Sequence, residues 1–278
     1  MLVSEIMLQQ TPVVRVLPVW QEWLRRWPEP ADLAREPAGE AVRAWGRLGY
    51  PRRALRLHAA AVAICSDHGG KVPGTHPELL ELPGVGGYTA AAVAAFAFGR
   101  RETVVDTNIR RVHARLFSGS ALPSQSLTAA EIRLAAQALP DGAASSVRWN
   151  ASVMELGALV CTARSPKCGQ CPVSGSCAWL AAGEPAPTYT PKGQSWHGTD
   201  RQVRGAVMAV LRVAESPVAP ELFQRAAADL GFEPAGIGIP LAALHRLNAP
   251  PEQVERALAG LLGDGLAEVH PAGFQLPA

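Results

Sequence analysis

The sequence predicts an all-α chain over residues 1–182, then a linker, then a small helical unit that ends in a hairpin. Three observations predict this. Apolar residues recur at helical spacing from residue 4 to residue 160, with no alternating strand pattern before residue 190. The stretch "LPGVGGYTA" (82–90) sets a glycine turn between two helical runs. Residues 183–201, "GEPAPTYTPKGQSWHGTDR", are rich in Gly, Pro, Ser and Thr without apolar period, which reads as a linker.

Residues 4–24 read as helix broken near Pro12, since proline lacks an N–H and clashes with the preceding turn. Helices 39–48, 52–68 and 76–81 follow, the last with Thr75 as N-cap. Beyond the glycine turn, the alanine-rich run 88–98 favours helix strongly. "TVVD" is extended and leads to helix 107–117, and helices 127–138 and 146–160 complete the first part. After the linker, helices 202–213, 219–230 and 252–262 precede "LAEVH" and "GFQL" around Pro271-Ala272-Gly273. Three helices and a hairpin is the order of a winged helix. The expected division is a helical core over 1–182, a linker over 183–201 and a winged-helix-like unit over 202–278.

A chain of 278 residues suits two modest domains. Its formal net charge of +2 does not by itself call for a polyanionic partner. The arginines are clustered, however, in "RLGYPRRALRLH" (47–58), "GRRE" (99–102) and "NIRRVHARL" (108–116). Such clusters are either solvated helix faces or basic patches for nucleic acid. No apolar run approaches the roughly 20 residues of a membrane span, and the start has no secretory signal pattern. A cytoplasmic chain with reduced cysteines is expected.

Of five cysteines, Cys65 stands alone in an alanine-rich helix and is expected to be a buried small hydrophobe. The other four form "CTARSPKCGQCPVSGSC", a C-x6-C-x2-C-x5-C array of Cys161, Cys168, Cys171 and Cys177. Four thiols so close together in a reducing compartment point to metal rather than disulfides. Zinc and iron–sulfur clusters both use four cysteines. The array lacks the paired C-x2-C motifs of a zinc ribbon, which favours a cubane cluster in a structural role.

The turn at Gly84 and Gly86 bares backbone N–H groups at the start of the next helix, where a DNA phosphate would be favoured; an ordinary helical hairpin is the plainer alternative. Asp106 stands where a helix begins. It reads as an N-cap whose carboxylate, held by backbone N–H groups, can also oppose a developing positive charge. Glu5 lies on a first helical turn beside Ile6, Met7 and Leu8. It is either a charge suited to the helix dipole or a general acid whose pKa is raised by apolar neighbours.

Six motifs, "SEIMLQQT", "LGYPRRALRLH", "LPGVGGYTA", "VVDTNIRRV", "MELGALVCT" and the four-cysteine loop, occur in this order over residues 1–180. Together they resemble the helix–hairpin–helix DNA glycosylase superfamily and, within it, the adenine DNA glycosylases of the MutY type. The resemblance implies removal of adenine mispaired with 8-oxoguanine or guanine after the adenine is flipped out of the stack. It implies that Glu5 protonates adenine N7. Asp106 would stabilise the sugar oxocarbenium ion through a transient adduct, Tyr88 would support that state, and Asn108 would orient its neighbours. Endonuclease III-type relatives carry a lysine at the position of Tyr88 and form a Schiff base with the sugar. A phenol cannot, so a monofunctional enzyme is implied. By the same resemblance Gln10, Thr11, Tyr50, Arg53, Gly84 and Gly86 contact DNA, with Gln10 and Tyr50 near the opposite base. The four cysteines hold a [4Fe-4S] cluster, zinc being the alternative, and the cysteine loop sets Arg164 and Lys167 on DNA. The implied partner is double-stranded DNA with a mismatch or an oxidised guanine, met by a monomer associated with the nucleoid.

Three departures shape the expectations. Family members carry a Pro-Trp-Arg segment lining the adenine pocket ahead of "SEIMLQQT", whereas only Met1 to Val3 precede Ser4 here, so either the start lies upstream or this form lacks part of that pocket. Ala151, in "WNASVMELGA", stands where the family has Gln or Glu against the adenine edge, which implies altered base selectivity. The C-terminal unit does not resemble the Nudix-like domain of many relatives. Two further readings stay open: a glycosylase for another lesion, and an impaired iron–sulfur DNA-binding protein.

Overall fold

The chain is described by a computed structural model covering residues 1–190, 193, 195–225 and 236–278. Helix α1 (Leu2–Leu8) ends ahead of Pro12, and α2 (Val13–Arg26) starts immediately after it, as the proline requires. Then come α3 (Pro30–Ala34), α4 (Ala38–Trp45), α5 (Arg52–Asp67), α6 (His76–Glu81) and α7 (Gly87–Phe98). Helices α8 (Thr107–Leu116), α9 (Ala129–Ala138) and α10 (Ala143–Leu159) follow. The cysteine loop holds two 3-10 turns and leads into α11 (Ala178–Ala181). Past the linker lie α12 (Asp200–Val213), α13 (Gly238–His245), α14 (Pro251–Gly263) and a hairpin of β1 (Glu268–His270) and β2 (Gly273–Gln275).

The described residues form two compact units, each drawn from separate stretches of chain. One comprises Met1–Glu5, Pro73–Glu81 and Val85–Lys192; the other comprises Ile6–Val72, Leu82–Gly84 and Gly193–Ala278. Grouping by contact therefore cuts across sequence order, and residues 202–278 share a unit with Ile6–Val72.

In the first unit α7 is the central element. Ala90 through Ala95 are buried, which is why this helix is apolar on every side rather than amphipathic. It forms a core with Val104, Ile109, Val112 and Val153 from the flanking strand-like segment, α8 and α10. Thr128 and Glu131 cap α9 reciprocally, each side chain bonding the other's backbone N–H.

In the second unit Trp23, Trp27 and Trp45 pack edge to face, with centroid distances of 4.9 Å for Trp23–Trp27 and 5.6 Å for Trp23–Trp45. Arg43 on α4 donates to the carbonyls of Arg212 and Ala214 at the end of α12. The tail also closes on α4: the Gly39 amide donates to the Pro277 carbonyl at 2.8 Å, and a Cβ at Gly39 would stand 2.4 Å from that oxygen. Within 202–278, α12 packs on α13 and α14, and Val218 bridges Phe274 through reciprocal bonds of 2.8 and 2.9 Å. Among the described residues of this stretch α12, the Val218 bridge, α13, α14 and the hairpin follow in that order.

Several sequence expectations change. The helix expected at 219–230 begins as a 3-10 turn, Pro220–Phe223, and residues 226–230 lie outside the described residues. Helix α13 was not expected: "GIPLAALH" is apolar all round and contains Pro240, so it shows no amphipathic period. Cys65 is half-buried rather than buried.

Candidate active site

Glu5 sits on the first turn of α1, half-buried. The Tyr88 hydroxyl, on the first turn of α7, donates to its Oε2 at 3.0 Å. Burial is the main influence on Glu5 and raises its pKa above the usual 4.5; the Tyr88 hydrogen bond pulls it down, and the charge of Asp106 adds to the rise. Burial, then the neighbouring Glu5, drives the Tyr88 phenol well above its ordinary value, so Tyr88 is a donor and not a base. A half-buried carboxyl whose pKa is raised by burial is suited to protonating a leaving group.

Asp106 is the N-cap of α8, with extended backbone (φ −96°, ψ 179°). Its Oδ1 accepts from the Ile109 amide at 2.6 Å and its Oδ2 from Asn108 Nδ2 at 2.8 Å. The capping reading of Asp106 holds, and its second oxygen is held by Asn108. Asn108 is fixed in turn, because its Oδ1 accepts from Arg111 Nη2 at 2.8 Å. The buried Arg111 also donates to the Gly157 carbonyl at 2.5 Å and, through Nε, to the Cys161 carbonyl at 2.7 Å. A continuous polar chain therefore runs from Asp106 to the backbone of the first cysteine. Gly157 lets α10 approach closely: a Cβ there would lie 2.7 Å from Asn108 Cβ and 2.9 Å from its carbonyl oxygen.

Cys161, Cys168, Cys171 and Cys177 line one pocket, walled by Leu156, Val160, Val173 and Trp179. Among the described residues no three His, Cys, Asp or Glu side chains converge as ligands of a single ion. Four thiols lining one largely apolar pocket fit the cysteine donor set of an iron–sulfur cluster. Arg115 is buried here. It donates to Cys161 Sγ at 3.3 Å and to the Thr162 carbonyl at 2.8 Å, and it lies 4.9 Å over the Trp179 ring. Arg164 and Lys167 are exposed on this loop.

The glycine turn divides its work. Gly84 has φ +80°, and a Cβ would meet Arg56 Cβ at 2.5 Å, so glycine is required by backbone and packing. Gly86 is the N-cap of α7 without a side-chain cap, and neither Gly86 nor Gly87 has an atom near a would-be Cβ. Their bare backbone at the start of a 12-residue helix suits an anion.

Gln10 and Tyr50 lie in the second unit and are exposed; both are non-glycine residues in the left-handed region, with φ of 56° and 47°. Thr11 and Arg53 differ from expectation. Each is 6% exposed, and the Arg53 guanidinium is spent on internal acceptors, so neither reaches out to a phosphate. Ala151 is exposed, while the preceding Asn150 is buried and donates to the Glu102 carbonyl at 2.9 Å. The sequence reading passed over Arg111, Arg115 and Gly157. The spacing of Asn108, Arg111 and Arg115 put them on one face of α8 and was the available signal.

Comparison with known proteins fits this geometry. A family profile described as HhH-GPD superfamily base excision DNA repair protein matches residues 3–137. One described as the iron–sulfur binding domain of endonuclease III matches residues 161–177. An adenine DNA glycosylase of Mycolicibacterium smegmatis is 47% identical over 267 residues, covering 96% of this chain and 83% of that protein. An adenine DNA glycosylase of Mycobacterium tuberculosis strain H37Rv is 46% identical over 281 residues, covering 99% and 84%. The solved structure of a thermostable thymine-DNA glycosylase aligns with a TM-score of 0.58 at 32% identity, over 65% of this chain and 83% of that one. Among the described residues no helix is long and apolar enough to cross a membrane.

Proposed function

The chain belongs to the adenine DNA glycosylase family of the helix–hairpin–helix base-excision repair superfamily, and on that premise we propose that it removes adenine mispaired with 8-oxoguanine or guanine. The observation that carries the mechanism is the Glu5–Tyr88 hydrogen bond with Asp106 close enough to bias Glu5 electrostatically. Glu5 gives its proton to N7 of the flipped adenine as the N-glycosidic bond breaks, and the electron pair leaves with the base. The sugar carries the positive charge, which the Asp106 carboxylate opposes while Asn108 and the Ile109 amide hold it in place. Water adds at the sugar carbon and its proton returns to Glu5. Tyr88 offers no amine, so strand cleavage does not accompany excision.

Cys161, Cys168, Cys171 and Cys177 would hold a [4Fe-4S] cluster. Bound there, the cluster would tie the loop to α8 and α10 without taking part in the hydrolysis. Gly86 and Gly87 would receive a backbone phosphate, and Gln10 and Tyr50 would meet the opposite base. Residues 1–182 are the catalytic segment and 202–278 the winged-helix-like unit. The protein acts as a cytoplasmic monomer on nucleoid DNA. The exposed Ala151 offers no hydrogen bond to a base, which supports a wider range of accepted bases than adenine alone.

The test is a duplex with adenine opposite 8-oxoguanine, incubated with the purified chain and then cleaved with alkali at abasic sites. Alkali-dependent breaks are expected from the wild type and none from Asp106→Asn. Breaks without alkali would refute the monofunctional assignment, and equal activity of Asp106→Asn would remove that residue's role.

A further inference from the structure

Arg53 joins the segments that carry Gln10 and Tyr50, two of the exposed left-handed residues. Its Nη1 donates to the carbonyls of Ile6 at 3.0 Å, Met7 at 3.2 Å and Gln9 at 2.5 Å. Its Nη2 donates to Thr11 Oγ1 and to the Gly49 carbonyl, both at 3.1 Å. Two of these acceptors flank Gln10 directly, and a third immediately precedes Tyr50. The guanidinium also lies 5.3 Å from the ring centroids of Trp45 and Tyr50. Trp45 Nε1 adds a second bond to the Gly49 carbonyl at 2.9 Å.

A left-handed residue with a side chain is held only where its surroundings over-determine it. Here one planar fork sets both segments at once. The Ile6 and Met7 carbonyls are free ends of α1, which a cation satisfies well. A lysine ammonium could reach those carbonyls, yet it lacks the fork that spans to Thr11 and Gly49.

We propose that Arg53 is the positioning residue for Gln10 and Tyr50, holding them preset at the base opposite adenine, so that opposite-base discrimination depends on it and bond cleavage does not. This rests on the function proposed above. The buried Arg53 guanidinium is engaged by internal acceptors and acts through the backbone of its neighbours.

The experiment uses full-length Arg53→Lys, checked for folding by thermal melting. Single-turnover excision of adenine is measured opposite 8-oxoguanine and opposite a stable abasic-site analogue, where there is no base to read. The expected result is a loss of about tenfold on the first duplex with the second unchanged. Equal loss on both, or loss on neither, would overturn the proposal. A binding readout separates it from the catalytic assignment. With 2-aminopurine beside the opposite base, wild-type binding should raise fluorescence through unstacking, and Arg53→Lys should blunt that rise. Were the wild type inactive on both duplexes, the proposed function would fall while the fluorescence difference still decided the role of Arg53. Thr11→Val removes one Nη2 acceptor with little change in volume and serves if Arg53→Lys does not fold. It should show the same split at smaller size, and an unsplit loss would count against Arg53.

Discussion

Gly157→Ala tests whether the packing of α10 on α8 sets the position of Asp106, the proposed catalytic carboxylate. The new methyl would lie 2.7 Å from Asn108 Cβ and 2.9 Å from the Asn108 carbonyl oxygen. Ordinary contact begins near 3.4 Å, so α8 must yield by about 0.7 Å at Asn108. Overpacking of this kind costs about 1–3 kcal/mol. Alanine returns about 1 kcal/mol through its higher helix propensity. The net destabilisation is therefore small, about 0–2 kcal/mol. The effect on chemistry is larger. Asn108 holds Asp106 Oδ2 at 2.8 Å, and its own anchor, Arg111, bonds the Gly157 carbonyl. Since a misplacement of about 1 Å costs roughly a hundredfold in rate, about 0.7 Å should cost of order tenfold. Single-turnover excision under enzyme excess reads that loss, and fluorescence anisotropy on the same duplex should find binding within about twofold of wild type. A variant with wild-type turnover would refute the reasoning, because α8 would then have absorbed the methyl without moving Asp106. A parallel loss of binding and melting temperature would refute it differently, by showing general unfolding.

Glu5→Gln should abolish excision while keeping DNA affinity, and in the wild type turnover should fall as pH rises through the elevated Glu5 pKa; a flat acid-to-alkaline profile would exclude Glu5 as the acid. The same group links to stability. A carboxyl whose folded pKa is raised stabilises below its unfolded value and loses that contribution as pH rises, so Glu5→Gln should gain melting temperature over wild type at pH 8 but not at pH 4. His113 is 4% exposed, its Nε2 has no hydrogen-bond partner among the described residues, and burial depresses its pKa from 6.5 to about 4. A base with a depressed folded pKa stabilises above its unfolded value, so stability should fall from pH 6.5 to about pH 4, by up to about 3 kcal/mol. His113→Phe should flatten that limb of the urea-denaturation profile, and an unchanged limb would place the acid sensitivity elsewhere. Purified protein should be brown and hold about four irons and four sulfides per chain, whereas a colourless protein with one zinc would exclude the cluster.

The proposed catalytic residues were legible because their chemistry is local. Asp106 shows itself by the extended "TVV" before it and the helical pattern after it, and the side chain that caps α8 is the carboxylate proposed for catalysis. The cysteine array and the two glycines are likewise read within a few residues. Arg53 was legible only in part. "YPRRALRLH" puts three arginines in one helix, and nothing nearby says that one of them turns inward to carbonyls 44 to 47 positions earlier. Helix α13 stayed hidden for the opposite reason, since a helix apolar on all sides has no period to detect. The contact of residues 202–278 with α4 depends on backbone acceptors at Arg212, Ala214 and Pro277, and backbone atoms carry no sequence signature.

The hydrogen bond from Tyr88 to Glu5 also couples two choices of chemistry at one position. A lysine at position 88 would bring an ammonium to the carboxylate that now accepts the phenol. Their attraction would favour the charged form of both groups. An amine nucleophile and a protonated acid therefore compete for the same place, so the residue at position 88 bears on the acid as well as on the choice between hydrolysis and Schiff-base chemistry.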